Sequence, residues 1–206
     1  MIAYLDNAAT TRVWPEAAQA AVEAMTERYF NPSSRYPAAS GAAKALESDR
    51  AAVAKALGCS PRELTFTSCG TESDNWAVRA AAEYGKRKGK HIITTAIEHH
   101  AVLNPVAELE REGYEVTYLR PTDQGTVDLA ELERALRPDT VLVSMMLVNN
   151  ELGSVLPVRE AVRIVRRSGA PALFHCDAVQ AFLKVPFTPK SLGVDLLAVS
   201  GHKVHA

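Results

Sequence analysis

Apolar runs of strand length alternate with helical repeats along most of the chain. Segments rich in β-branched or alternating apolar residues predict strands at 63–67, 91–97, 114–119, 141–148, 172–176 and 194–199. Apolar residues at helical spacing predict helices at 16–29, 38–57, 72–88, 101–112, 128–136 and 159–167. Glycine follows three of these helices, at Gly58, Gly113 and Gly169. Strands alternating with helices indicate an α/β fold with a mainly parallel sheet and helices on both faces.

Composition and charge narrow the class of protein. The 206 residues fit one large domain or one domain plus a fragment of another, and the only composition boundary lies near residue 14. A net charge of −1 argues against a nucleic-acid or membrane-surface partner. Three cysteines without C-x-x-C spacing indicate neither a disulfide framework nor a zinc site. With no signal peptide visible, we expect a cytoplasmic protein.

Polar residues should collect after the strands, because ligands of open parallel sheets bind outside the carboxyl ends. The stretch 68–73, which opens the helix at 72–88, contains Gly70 and several hydroxyl residues. Such a turn exposes backbone N–H groups and the positive end of the helix dipole to an anion such as phosphate. The alternative is an ordinary helix cap, with Thr71 as the capping residue and Asp74 completing a capping box.

Three further strand ends carry chemistry-bearing side chains. His99 and His100 follow one strand and should point to opposite faces, so that one of them can stack on a flat ring or move protons. Asn149 and Asn150 follow another strand as a turn or as ligands. Asp177 ends a buried strand and needs a partner such as a pyridinium nitrogen, because an unpaired buried carboxylate is costly.

The last strand is followed by Ser200, His202 and Lys203. Lysine amines form Schiff bases with carbonyl substrates and with pyridoxal phosphate, whereas a lysine near a chain terminus is otherwise a solvated surface residue. Read with the other strand ends, the constellation matches a pyridoxal-phosphate site, and no carboxylate or cysteine at ligand spacing predicts a metal.

Several motifs together carry a resemblance to one family, in that family's order: 4–11, 67–75, 98–99, 148–153, 175–180 and 200–203. The chain resembles the cysteine desulfurases, which belong to the class V aminotransferase group of fold-type I pyridoxal-phosphate enzymes. The resemblance implies the large domain of an aspartate aminotransferase-like fold over 15–206, incomplete at its C-terminus. It also implies that 1–14 would join a small domain, which is absent from this chain.

The resemblance implies a role for each matched residue. Lys203 would be the Schiff-base lysine, and His99 would stack on the cofactor ring and transfer protons. Asp177 would hold the pyridine nitrogen and Gln180 the ring hydroxyl, while Asn150 would touch the ring or the substrate. The phosphate would be bound by Gly70, Thr71, Ser200 and His202.

The reaction implied is removal of sulfur from L-cysteine, giving L-alanine and an enzyme persulfide for iron–sulfur cluster assembly or for thiolation of transfer RNA and cofactors. A homodimer and a sulfur-acceptor or scaffold protein are the implied partners. A selenocysteine lyase, or another class V lyase, shares the same cofactor contacts and is an alternative. A non-catalytic fragment is a second alternative. The region expected after Ala206 would supply the substrate-carboxylate arginine and the sulfur-accepting cysteine, so we expect this chain alone to be inactive.

Overall fold

The computed structural model describes residues 3–206, which form two compact units. The smaller unit comprises residues 3–66 and 201–206, and the larger unit comprises residues 67–200. The predicted association of 1–14 with a further domain stays a prediction, and its first two residues lie outside the described part of the chain.

The smaller unit contains two α-helices among its described residues. Helix α1 spans Pro15–Thr26 and α2 spans Pro37–Leu57. Each begins with proline at its first position. An N–H at that position would have no acceptor within the helix, so proline costs no hydrogen bond there. Helix α2 ends as predicted at Gly58, whose φ of 74° is the left-handed conformation that favours glycine.

The predicted strand at 63–67 is wrong. Pro61–Glu63 is a 3-10 turn. Among residues 3–206, no strand pairing includes the residues that follow this turn. An extended segment becomes a strand only when a neighbouring strand takes its backbone groups. Here a side chain takes one of them, since Arg50 Nη1 donates to the Leu64 carbonyl oxygen at 2.8 Å. The Arg50 guanidinium also lies 4.8 Å from the centre of the Phe66 ring.

The larger unit alternates helices and strands. Its helices are α3 Gly70–Gly85, α4 His100–Arg111, α5 Leu129–Ala135, α6 Val158–Ser168 and α7 Pro189–Leu192. Its strands are β1 His91–Thr95, β2 Glu115–Leu119, β3 Thr140–Ser144, β4 Leu173–Asp177 and β5 Leu196–Ala198. The sheet has the order β2-β1-β3-β4-β5, and every pairing is parallel. The predicted parallel sheet is therefore confirmed.

Apolar side chains cover both faces of this sheet. Successive residues of β1 point to opposite faces, so Ile92 packs with α3 and α4, whereas Ile93 packs with α5 and α6. All residues of β1 and β3 are buried. Each large apolar side chain that is fully buried contributes about 1.5–3 kcal/mol. The carboxyl ends of the strands are therefore held at one edge by a core on each side. Among residues 3–206, no helix has the length and apolar character to cross a membrane.

Candidate functional site

The N-terminus of α3 lies at the carboxyl edge of the sheet. The helix begins at Gly70, and the preceding Cys69 forms no side-chain capping hydrogen bond that meets the usual geometric limits. The predicted cap is wrong, because Thr71 and Asp74 both lie inside the helix. The first N–H groups of a helix have no partner within it. This end of α3 therefore keeps donors and a positive dipole end that suit an anion.

Side chains around this turn are arranged locally. The Glu72 carboxylate accepts a hydrogen bond from the Ser68 backbone N–H, which lowers the pKa of Glu72. The Glu72 backbone N–H and the Ser68 hydroxyl lower the pKa of the exposed Cys69 thiol. The thiol is thus only a weak hydrogen-bond acceptor for the first N–H groups of α3. No carboxylate or hydroxyl group caps these N–H groups, so none competes with a bound anion for them.

Gly70 allows two other loops to approach the helix closely. A Cβ atom at Gly70 would lie 3.2 Å from Val179 Cγ2 and 3.3 Å from Ser200 Cβ. Ser200, which follows β5, is 8% exposed. The first turn of α3 therefore packs against the segments that follow β4 and β5, and residues far apart in sequence share one cradle.

His99 begins α4 and does not continue a strand. Because β1 ends at Thr95, the strand alternation from which opposite faces were predicted for the two histidines does not extend to them. Both side chains are exposed, with ring centres 6.3 Å apart. His99 Nδ1 accepts the Ala101 N–H at 3.1 Å. In the neutral ring the proton is then on Nε2, which leaves that nitrogen and the ring face for a ligand.

Hydrogen bonds tie these helix ends and loops together. Asn75 Nδ2 donates to the Thr71 carbonyl oxygen at 3.0 Å and to the Ala101 carbonyl oxygen at 2.9 Å, joining the first turns of α3 and α4. Asn149 Nδ2 donates to the Ile97 carbonyl oxygen at 2.8 Å, joining the loops after β3 and β1.

The two asparagines after β3 differ in what they contact. The buried Asn149 also accepts the Glu151 and Leu152 N–H groups at 2.9 and 2.8 Å, so its side chain is committed to the loop. The half-buried Asn150 side chain has no hydrogen-bond partner among residues 3–206. Asn150 is therefore the one of the pair whose amide is open to a ligand.

Asp177 ends β4 and is 5% exposed. Its Oδ1 accepts the Val179 N–H at 2.9 Å. Burial, followed by the neighbouring Asp74 and Glu98, raises the pKa of Asp177 to about 7. A cation placed opposite the carboxylate would favour its charged form, and a protonated pyridine nitrogen is such a cation. The residues therefore fit a pyridoxal-type ring.

Gln180 lies one turn beyond Asp177 and is 8% exposed. Its Oε1 accepts a hydrogen bond from Lys184 Nζ at 3.1 Å. Burial lowers the pKa of Lys184. With its oxygen held in this way, the Gln180 amide is oriented by the fold.

A set of buried polar residues near Asp177 was missed by sequence reasoning. His175 Nδ1 lies 2.9 Å from Ser144 Oγ, and His175 Nε2 lies 3.3 Å from Asp74 Oδ1. Glu98 Oε1 accepts hydrogen bonds from Thr95 Oγ1 at 2.7 Å and from the Met146 N–H at 2.8 Å. The available signal was in β4, where a histidine stands two positions before the aspartate and hence on the same face.

His202 and Lys203 belong to the smaller unit, although they follow Ser200 closely in the chain. Lys203 Nζ donates to the carbonyl oxygens of Ala8 and Ala9 at 2.5 and 2.6 Å. His202 Nδ1 lies 3.1 Å from Thr10 Oγ1. The small-residue loop near the N-terminus therefore receives the segment that carries the lysine.

Comparison with known proteins gives consistent matches. The family Aminotransferase class-V matches residues 3–206. A cysteine desulfurase of Trichormus azollae is 47% identical over 205 residues, which are 100% of this chain and 50% of that protein. Cysteine desulfurase IscS of Methanosarcina thermophila is 47% identical over 200 residues, which are 97% of this chain and 49% of that protein.

Solved structures share the fold. A NifS-like protein has a TM-score of 0.97 at 42% identity, covering 100% of this chain and 56% of that one. A structure described as SspA in complex with cysteine has a TM-score of 0.93 at 35% identity, covering 100% of this chain and 58% of that one. The chain spans about half the length of the curated relatives it matches.

Proposed function

This chain belongs to the class-V aminotransferase family, and from that premise we propose that it is the cofactor-binding part of a pyridoxal-phosphate-dependent cysteine desulfurase. The observation that carries the proposal is Asp177, a carboxyl buried at the end of β4. Burial and two nearby carboxyls raise its pKa, and a cationic partner would stabilise its charged form. Relatives named cysteine desulfurase, and a neighbour bound to cysteine, support the substrate. Because the chain covers half of those relatives, the full reaction is proposed for the whole protein.

The ring-binding residues come from the ends of neighbouring strands. Bound pyridoxal phosphate supplies an electron sink, which is strongest while its ring nitrogen is protonated. Asp177 would pair with that nitrogen. Gln180, oriented by Lys184, would bind the ring hydroxyl, and the open Asn150 amide would bind the ring or the substrate.

The phosphate would be bound at the start of α3. The N–H groups of Gly70 and Thr71 lie at the positive end of the helix dipole, and the Thr71 N–H meets only the weakly accepting Cys69 sulfur. Ser200 packs against Gly70 and would add a hydroxyl donor. The family resemblance adds His202 as a further donor.

Proton transfer would use His99 and Lys203. The Ala101 N–H occupies His99 Nδ1, so Nε2 is the nitrogen that exchanges protons, and the exposed ring can stack on the cofactor. Lys203 would provide the amine that anchors the cofactor covalently and then takes or returns a proton. The products would be L-alanine and sulfur on an enzyme cysteine, passed to an acceptor protein for cluster assembly or thiolation. A homodimer is proposed from the family.

The first prediction tests the anchor. Incubation with pyridoxal phosphate and reduction with borohydride should add one cofactor to Lys203, as mapped by mass spectrometry of peptides. Lys203→Ala should abolish this adduct, whereas Lys190→Ala, at an exposed lysine, should leave it intact. An adduct spread over surface lysines, or none, would contradict the proposal. Incubation of the loaded chain with L-cysteine, followed by alanine and sulfide assays, then tests the reaction separately.

A further inference from the structure

Four titratable side chains form a cluster at the carboxyl ends of β1, β3 and β4, here called the buried acid cluster. Its members are Asp74 of α3, Glu98 after β1, and His175 and Asp177 of β4. They are 1%, 5%, 0% and 5% exposed, respectively. Three carboxyls and one imidazole thus share a region from which water is excluded.

The imidazole of His175 joins Asp74 to the sheet. Its Nδ1 lies 2.9 Å from Ser144 Oγ and its Nε2 lies 3.3 Å from Asp74 Oδ1. By the usual geometric limits neither Nε2 nor Oδ1 makes a hydrogen bond among residues 3–206, so the two groups lie within ion-pair distance without being hydrogen-bonded. At this distance the imidazole, when protonated, offsets the charge of the Asp74 carboxylate. Asp74 is therefore the carboxyl of the cluster that is matched with a basic group.

Asp177 responds to each of the other members. Burial, Asp74 and Glu98 raise its pKa, while His175 and the Val179 N–H lower it. Cys176 is fully buried and points to the other face of β4, and burial raises its pKa, so this thiol stays neutral. Three carboxylates in one buried region cannot all be ionised at low cost, because like charges in a low-dielectric site disfavour one another.

We propose that Asp74 and His175 are positioning residues for Asp177: their pairing shields Asp177 from the charge of Asp74, so that Asp177 can hold a cationic ring nitrogen. The part that concerns the ring rests on the proposed function. His175 and Asp177 share one face of β4, and α3 places Asp74 over that face. The arrangement links the anion-binding helix to the acid that binds the ring.

The proposal predicts shifts of opposite sign. His175→Asn leaves the charge of Asp74 unpaired and should raise the pKa of Asp177 by about one unit, the lower end of the shift that a nearby charge causes. Asp74→Asn removes that charge and should lower the pKa. In the double variant the repulsive group is absent, so the pKa of Asp177 should return toward the wild-type value.

The first measurement needs no cofactor. Nuclear magnetic resonance of protein with ¹³C-labelled aspartate carboxyls, with Asp177→Asn used for assignment, would follow the Asp177 titration in all four proteins. A structural role alone predicts loss of stability in both single variants but no shifts of opposite sign. Shifts in the same direction, or a double variant that resembles His175→Asn, would overturn the proposal.

The second measurement is the affinity for pyridoxal phosphate against pH, read from cofactor absorbance. At pH 7, His175→Asn should weaken binding about fivefold, because a rise of one unit from a pKa of about 7 lowers the ionised fraction of Asp177 from about a half to about a tenth, and the double variant should recover most of it. If the wild type fails to bind the cofactor, the proposed function is wrong, while the magnetic-resonance result still decides the pairing.

A matched control comes from the other end of the sheet. His91 is also buried, with Nδ1 2.8 Å from Thr140 Oγ1 and Nε2 2.9 Å from Thr117 Oγ1. His91→Asn removes an equally enclosed imidazole far along β1 from its carboxyl end. It should reduce stability without moving the Asp177 titration, and an equal shift in this variant would count against the proposal.

Discussion

Glu98 is enclosed by the loops after β1 and β3, and only one of its oxygens accepts hydrogen bonds from residues 3–206. Burial raises its pKa from 4.5 to about 7. The folded state therefore binds this proton more tightly than the unfolded state does. Stability from this group falls as pH rises from 4.5 toward 7 and is level above that.

Glu98→Gln tests this pH dependence. Glutamine keeps the oxygen that accepts from Thr95 and Met146 and cannot ionise, so the variant should be more stable above pH 7 by up to about 3 kcal/mol. Little gain is expected near pH 4.5. Urea unfolding across this range gives the measurement, and Glu133→Gln, at an exposed residue, should follow the wild type. An unchanged pH profile in Glu98→Gln would show that Glu98 is not the responsible group.

Individual residues differ in how well the sequence predicted them. The position of Asp177 at the end of an apolar strand and of Gly70 at the start of a helix followed from local order, and the structure places both at the carboxyl edge. The pairing of Asp74 with His175 did not follow, because it joins a helix to a strand about a hundred positions away. Local patterns carry no information about which distant groups meet.

Replacement of glycine by alanine has opposite effects on stability at a helix end and in a helix interior. This chain offers one glycine of each kind. Gly169 ends α6 with φ of 73°, and Gly41 lies within α2; a Cβ at either would meet nothing within 4 Å. Gly169→Ala should lose about 1 kcal/mol through backbone strain, and Gly41→Ala should gain roughly 0.5–1 kcal/mol. Equilibrium unfolding of both variants checks the signs. A loss in Gly41→Ala would show that the smaller unit needs this glycine for another reason.

Long periodic helices were predicted with boundaries close to those observed, as α2 and α6 show, whereas the strand predicted at 141–148 ends at Ser144 as β3. Short ones were not: α7 and the 3-10 turn at Pro61–Glu63 are too brief to display a period. The segment at 63–67 has strand composition but depends on a partner strand, which composition cannot report. Element type thus followed from side-chain pattern wherever the core itself imposes that pattern.

At the scale of the whole molecule, residues 12–14 meet His205 within the smaller unit. Trp14 stacks on His205 with ring centres 5.3 Å apart, and the Trp14 N–H donates to the His205 carbonyl oxygen at 3.0 Å. His205 Nδ1 also pairs with the Arg12 carbonyl oxygen at 2.8 Å. The segment that carries Lys203 is therefore held by residues near the N-terminus.

His205→Ala should loosen this closure by about 1 kcal/mol, since it removes one ring contact and one hydrogen bond. In a Trp76→Phe background only Trp14 emits, because the chain has two tryptophans. Its fluorescence should change when His205 is replaced by alanine. The unfolding transition that this fluorescence reports should also move to a lower urea concentration. The exposed His100 provides the control, as His100→Ala should alter neither. Identical spectra with and without His205 would argue against the stack.

The contact of Gly70 with Ser200 sets an order of events during synthesis. A ribosome that releases the chain from its N-terminus exposes α3 long before β5 exists, and domains fold as their residues emerge. When α3 emerges, only the helix side of the anion-binding turn is present. The Ser200 side is synthesised after strands β1 to β5. A ligand that contacts both sides binds only after the sheet is complete, and by mass action it stabilises that folded state alone.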